Sequence, residues 1–215
     1  PVIFVNCSGS AIAFGSVVGE YDALLQAWYP GQGGAKALAE VLFGDYNHGG
    51  KLPVTFYRST ADLPDFLDYS MKNRTYRYFT GVPQYAFGYG LSYTTFSVGK
   101  GKISSKSGKS GKSGVFCTLT VPVTNIGKRE GTETVQVYVK RLGDAGAPIK
   151  ALKGFQKLSL KPGETKKAVI SLDSEAFEYY DEMIDELAVK LGNYQILYGT
   201  SSLEKDLQSF DYTVK

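Results

Sequence analysis

Residues 115–140 read VFCTLTVPVTNIGKREGTETVQVYVK, and their hydrophobicity repeats every second residue. Val115, Cys117, Leu119, Val121 and Val123 alternate with Phe116, Thr118, Thr120 and Pro122, and Val135, Val137 and Val139 resume the pattern after the turn Asn125-Ile126-Gly127. Period two is the signature of a strand with one buried face. Leu152–Leu160, Lys166–Leu172, Glu186–Lys190, Tyr194–Tyr198 and Phe210–Val214 follow as further strand candidates, punctuated by Pro162-Gly163 and Gly192-Asn193. Short alternating strands with regular turn signals predict an all-β sandwich over residues 115–215. Phe155 falls out of phase in its strand, and Gly154 beside it predicts a bulge.

Upstream the period changes. Val2–Val5 is a short apolar run, as in a strand buried on both faces, and Ala23–Tyr29 is a second, ending at Pro30-Gly31. Gly33 and Gly34 then open a helix in which Ala35, Leu38, Ala39 and Leu42 recur at helical spacing, and Gly44 supplies its C-cap. Leu52–Tyr57 reads as one more strand, and residues 58–90 as an ordered, irregular loop rich in aromatics. Residues 1–97 are therefore expected to form part of an α/β layer structure.

Between the two parts, residues 104–114 read SSKSGKSGKSG, a composition that favours no packed structure and predicts a flexible loop or linker over 98–114. Trace trypsin is expected to cut first after Lys106, Lys109 or Lys112. Mass spectrometry of the first fragments checks this, and first cuts at Arg74 or Lys140 would count against that boundary.

The chain has 215 residues, 43% of them hydrophobic and 21% charged, an ordinary globular composition. Its net charge of +3 becomes −2 once the five lysines between Lys100 and Gly114 are set aside. The basic character is thus local, without the interleaved Arg and aromatic residues of a nucleic-acid footprint, and no nucleic-acid partner is expected. No apolar run approaches the roughly 20 residues that span a bilayer, so no membrane partner is expected, and the opening PVIFVN lacks the basic head of a signal peptide. Cys7 and Cys117 make neither a disulfide framework nor a metal-ligand spacing.

Motifs that carry chemistry are sparse. Gly31-Gln32-Gly33-Gly34 has Lys36 where a dinucleotide fingerprint needs its third glycine, so no nucleotide cofactor is expected. His48, the single histidine, sits in a glycine-flanked turn and reads as an exposed turn residue; zinc sites of several histidines are excluded. Seven acids between Asp173 and Glu186 read as a solvated face with a helical turn near Ala176–Tyr180. Sugar faces stack on aromatic rings, which makes Trp28 a candidate ligand contact. Arg74 and Tyr76, with Arg77, Tyr78 and Phe79, either bind a hydroxyl-rich ligand or clamp the two parts together, the clamp being favoured.

Three segments resemble the family 3 glycoside hydrolases: PGQGGAKALAEVLFGDYNHGGKLPVT at 30–55, RTYRYFTGVPQYAFGYGLSYTTF at 74–96, and LKGFQKLSLKP at 152–162 followed by Gly163-Glu164-Thr165. The resemblance implies the end of an α/β sandwich domain followed by an immunoglobulin-like (fibronectin type III-like) sandwich. It also implies a retaining mechanism with an aspartate nucleophile on an N-terminal barrel and a glutamate acid/base on the α/β domain. Neither catalytic motif occurs in this chain, so the resemblance implies a non-catalytic C-terminal portion that works with the absent barrel and the start of the α/β domain, and meets carbohydrate through the parent. It further implies a secreted or periplasmic parent with no cofactor. The run Asn73–Phe79 is closer to the β-xylosidase branch than to the β-glucosidase branch; a stand-alone carbohydrate-binding or structural module is the alternative. His48-Gly49-Gly50-Lys51 departs from the family's more usual Pro-Ser-Gly-Arg in that turn.

Overall fold

The computed structural model describes residues 1–105, 107–108 and 114–215. Lys106 and residues 109–113, which carry part of the expected linker and all three expected trypsin sites, lie outside the described residues. Strand β1 (Ile3–Asn6) pairs in parallel with β2 (Ala23–Gln26), and helix α1 (Gly34–Phe43) follows. Gly44 ends α1 in the left-handed region at φ 80, where glycine has no Cβ penalty. A short helix α2 (Thr75–Tyr78) is the one regular piece of the long irregular segment that the sequence places at 58–90, apart from a single turn at Thr60–Asp62.

The strands β3 (Phe96–Val98), β4 (Lys102–Ile103), β5 (Ser107–Gly108), β6 (Val115–Asn125), β7 (Gly131–Arg141), β8 (Ala151–Leu160) and β9 (Thr165–Asp173) come next. They are followed by β10 (Glu178–Asp181), β11 (Glu186–Val189), β12 (Gly192–Gly199) and β13 (Leu207–Val214). Among the described residues one sheet runs β5-β13-β12-β7-β8, and a second is built on β6, flanked by β9 on one side and by β3 and β4 in succession on the other. Leu119, Val121 and Val123 of β6 meet Val135, Val137 and Val139 of β7, Leu160 of β8 and Ile196 of β12 between the sheets, all without exposed surface. Each such side chain contributes roughly 1.5–3 kcal/mol of burial, so alternation along β6 translates directly into the sandwich core.

Asn125 ends β6 inside this core and has every polar group paired. Its Nδ2 donates to the carbonyls of Arg129 and Leu160, and its Oδ1 accepts from Thr94 Oγ1 and the Gly127 amide. A buried amide left unpaired would cost a few kcal/mol; here it ties the β6–β7 turn to the segment leading into β3.

Several expectations change. Residues 96–98 and 102–103 are hydrogen-bonded to β6, so the sandwich sheet begins ahead of residue 115. Leu52–Tyr57 is no continuous strand: Phe56 bridges Tyr85, while Pro53 has no amide to extend the ladder. The acidic run makes a single turn at Ser174–Phe177 and then the hairpin β10–β11, with Ala176 and Phe177 driven into the core rather than held on a solvated helix. Phe177 stacks on Tyr212 at 5.0 Å and on Phe116 at 5.5 Å. His48 is half-buried, edge-on to the Tyr93 ring at 5.2 Å, and its burial, reinforced by Lys51, lowers its pKa. The bulge expected at Gly154 is present as a register shift: Val137 faces Gly154, but Tyr138 faces Leu152. A side chain at Gly154 would meet Ile170 Cγ2 at 2.7 Å, which explains the glycine.

Candidate functional site

The carboxyl ends of parallel strands are where α/β sheets open a crevice for ligands. Here Asn6 ends β1 and Gln26 ends β2, and Asn6 Nδ2 donates to Gln26 Oε1 at 2.5 Å and to Ser8 Oγ at 2.9 Å. Two residues beyond Gln26, Trp28 takes φ 55, a conformation that costs a bulky side chain about 1–3 kcal/mol and is found at functional sites. Its ring lies edge-on to Phe56 at 6.2 Å and is half-buried. Among the described residues its indole N–H has no hydrogen-bond acceptor, so it retains both a ring face and a donor.

Arg74 spends its guanidinium on the chain that precedes it. Nη2 donates to the carbonyls of Asp68 at 2.5 Å and Asp65 at 3.2 Å, and Nε to that of Ser70 at 3.2 Å. This locks the turn Asp65–Asp68, whose central residues Phe66 and Leu67 are exposed.

Tyr76, two residues on in α2, faces the sandwich. Its ring stacks on Phe87 at 4.1 Å and meets Tyr138 of β7 edge-on at 5.8 Å, while its hydroxyl accepts from the Leu152 amide of β8 at 3.0 Å. Burial raises its phenol pKa above the ordinary value. The adjacent Arg77 carbonyl accepts from the Ile149 amide at 2.7 Å. The Arg74–Tyr76 candidates thus sit in two separate tasks, a loop brace and a seam between the α/β segment and the sandwich, and Trp28 stands apart from both.

The seam itself contains groups that the sequence reading did not single out. Gln136 Nε2 donates to the carbonyls of Gly88 and Thr200, and Tyr138 donates to Gln136 Oε1 at 2.5 Å. Gly88, at φ 79, leaves no room for a Cβ, which would lie 2.0 Å from Gln136 Oε1. Lys51 Nζ pairs with Glu133 Oε1 at 2.8 Å, both side chains nearly buried, and also donates to the Gly90 carbonyl. Asn47 donates to the Glu130 carbonyl and accepts from Ser92 and the Tyr93 amide. The only hint in the sequence was that alternating polar positions of β7 are large and amide- or phenol-bearing, which suits a second buried face.

Among the described residues no group of three or more His, Cys, Asp or Glu side chains gathers as a metal site, and no helix is long and apolar enough to cross a membrane.

Comparison with known proteins adds the family. Residues 1–93 match the glycosyl hydrolase family 3 C-terminal domain, and residues 133–202 the fibronectin type III-like domain. A xylan 1,4-beta-xylosidase of Xylanibacter ruminicola is 50% identical over 99% of this chain and 24% of its own length. A periplasmic beta-glucosidase of Salmonella typhimurium is 36% identical over 98% of this chain and 29% of its own length. Among solved structures, the beta-D-glucoside glucohydrolase of Trichoderma reesei superposes with a TM-score of 0.87 at 28% identity, covering 100% of this chain and 34% of that one. The chain thus spans about a quarter to a third of the length of the proteins it matches. With an α/β segment seated on a β-sandwich and both domain types matched in that order, the chain belongs to the family 3 glycoside hydrolases, as part of their C-terminal α/β domain together with the fibronectin type III-like domain.

Proposed function

We propose that this chain is the non-catalytic C-terminal portion of a β-xylosidase-like exo-glycosidase that removes β-linked sugars from non-reducing ends. The observation that carries the branch is the 50% identity to a xylan 1,4-beta-xylosidase along almost the whole chain. The catalytic carboxylates are supplied by a barrel and by earlier α/β residues of the parent, and this portion supports them. The α/β segment has the surface for such a partner. Among the described residues β1 and β2 pair only with each other, and parallel strands belong in larger, covered sheets. Val2 and Ile3 are about half exposed, and Phe43 at the end of α1 is 85% exposed. The sandwich holds this segment through Tyr76, Gln136 and the Lys51–Glu133 pair, so the parent's remaining α/β elements meet a fixed platform. Of the three carbohydrate candidates, we assign the sugar contact to Trp28, which takes part in neither the loop brace nor the seam; Arg74 and Tyr76 serve as brace and seam.

The full-length parent is expected to show a higher kcat/KM on aryl β-xylosides than on aryl β-glucosides, by about tenfold or more, since one well-placed substrate contact is worth 1–3 kcal/mol. The 36% identity to a periplasmic beta-glucosidase favours the other branch. A glucoside preference in that assay would establish it and leave the family membership intact.

A further inference from the structure

Where the α/β segment meets the sandwich, the chain forms a partly open cavity of about 340 Å³. Lys51, Tyr89, Phe96, Glu133, Ser201 and Asp206 lie on its wall. These residues come from four places in the chain: the turn before Leu52, the segment before β3 and β3 itself, the start of β7, and the β12–β13 connection. The cavity therefore exists only when the two parts are docked.

Its polar groups are held but not exhausted. Glu133 is 8% exposed; Oε1 accepts from Lys51 Nζ at 2.8 Å and from the Thr134 amide at 2.7 Å, and Oε2 has no hydrogen bond among the described residues. Asp206 Oδ2 accepts from Ser201 Oγ at 2.6 Å, and Oδ1 likewise has no partner there. Lys51 uses two of its three N–H donors, on Glu133 and on the Gly90 carbonyl. The Tyr89 hydroxyl makes no hydrogen bond among the described residues, although Asp206 lies close enough to add to the rise in its pKa that burial produces. Held carboxylate oxygens, a spare ammonium donor and a phenol, with Tyr89 and Phe96 as ring walls, describe a site built for a small molecule with several hydroxyls.

The alternatives fit less well. A small anion would face two carboxylates against one ammonium. A divalent cation needs a larger set of oxygen ligands, and Lys51 occupies the most buried carboxylate. A neutral pyranose matches: its hydroxyls donate to Glu133 and Asp206 and accept from Lys51 and Tyr89, and its C–H faces rest on the aromatic rings. The volume is at the lower end of ligand pockets, which run from about 300 to 1,000 Å³, and suits one sugar ring. We propose that this seam cavity is a monosaccharide-binding site, formed jointly by the α/β segment and the fibronectin type III-like sandwich. Occupancy would bridge the two parts and stabilise their docking by mass action. The inference concerns binding by this chain and stands whether the parent prefers xylosides or glucosides.

The test is titration of the 215-residue chain with D-xylose and D-glucose, followed by amide shifts in NMR. Saturable binding with a Kd of about 1 mM, with shifts centred on Gly90, Thr200, Ser201 and Asp206, is the expected result. Asp206→Asn and Tyr89→Phe, which keep the shape of the wall, are each expected to weaken binding by about tenfold through the lost hydrogen bond. The shift map on the unsubstituted chain stands as an independent reading if a variant fails to fold. Absence of saturation, shifts centred elsewhere (around Trp28, for instance), binding unaffected by both variants, or the same shifts produced by calcium chloride alone would each overturn the proposal.

Discussion

Substituting alanine for Glu133 is expected to destabilise the chain by about 3–5 kcal/mol, because it strands the Lys51 ammonium in a nearly closed site. The pair is 2.8 Å apart, and the two side chains are only 14 and 10% exposed, so solvent screens it little. Lys51 would keep the Gly90 carbonyl as a partner, and the Thr134 amide would lose Glu133 Oε1. An uncompensated charge at that depth outweighs the modest gain of any single new contact. In a chain of this size each kcal/mol moves the melting midpoint by about 2–4 °C, so a fall of roughly 10 °C is the readout. The double variant Lys51→Met/Glu133→Leu separates charge from packing. Replacing a buried pair with apolar groups of similar volume is often neutral, so the double variant is expected to melt well above Glu133→Ala. If Glu133→Ala shifts the midpoint by only a degree or two, or the double variant is the worse of the pair, the seam is not held by this ion pair.

The seam also marks the limit of what the sequence discloses. Strand β6 buries one face only: Cys117, Leu119, Val121 and Val123 are sealed while the intervening residues stay partly exposed, and period two reports that arrangement faithfully. Strand β7 is buried on both faces from Glu133 to Val139. Its core face of valines was legible, but Thr134, Gln136 and Tyr138 read as an outward polar face, because what covers them is Phe87, Gly88 and Tyr76, some fifty residues away in the chain. Beyond the size of the Gln136 and Tyr138 side chains, no local pattern encodes such a cover. The same reasoning accounts for helix α1, whose limits followed from Gly33 and Gly44. Its apolar positions predict a covered face, yet Leu42 is 38% and Phe43 85% exposed; the helix anticipates a partner that the described residues do not supply. The sequence groups Arg74 and Tyr76 as one ligand site or clamp, whereas in the fold Arg74 braces the preceding turn and Tyr76 faces the sandwich, with Asn73 and Thr75 beside them both at positive φ. Left-handed conformation at Trp28 and Thr75 is likewise invisible to propensity, since tertiary contacts impose it.

The isolated 215-residue chain is expected to hydrolyse neither 4-nitrophenyl β-xyloside nor 4-nitrophenyl β-glucoside above the enzyme-free rate. Retaining hydrolysis needs two carboxyl groups about 5–5.5 Å apart across the scissile bond, one of them with its pKa raised so that it arrives protonated. The carboxyls of this chain with a resolved departure from ordinary values all move the opposite way. Hydrogen bonds from Ser70 hold Asp68 down, the Lys161 amide does so for Glu164, and the Lys190 ammonium does so for Asp181. A carboxyl held ionised in this way is no general acid at neutral pH. Glu40 lies on α1 beside Lys36, at 3.7 Å, and Glu20 is exposed on the turn before β2. Proximity and charge stabilisation supply most of the acceleration in such enzymes; at the seam, Glu133 Oε1 is paired with Lys51 and Asp206 accepts from Ser201 Oγ, so this pair is expected to hold a sugar rather than to cleave it. Glu20→Gln and Glu40→Gln serve as controls in the same assay. Turnover that survives purification and vanishes in one of them would place an acid/base carboxylate in this chain and overturn its assignment as a non-catalytic portion.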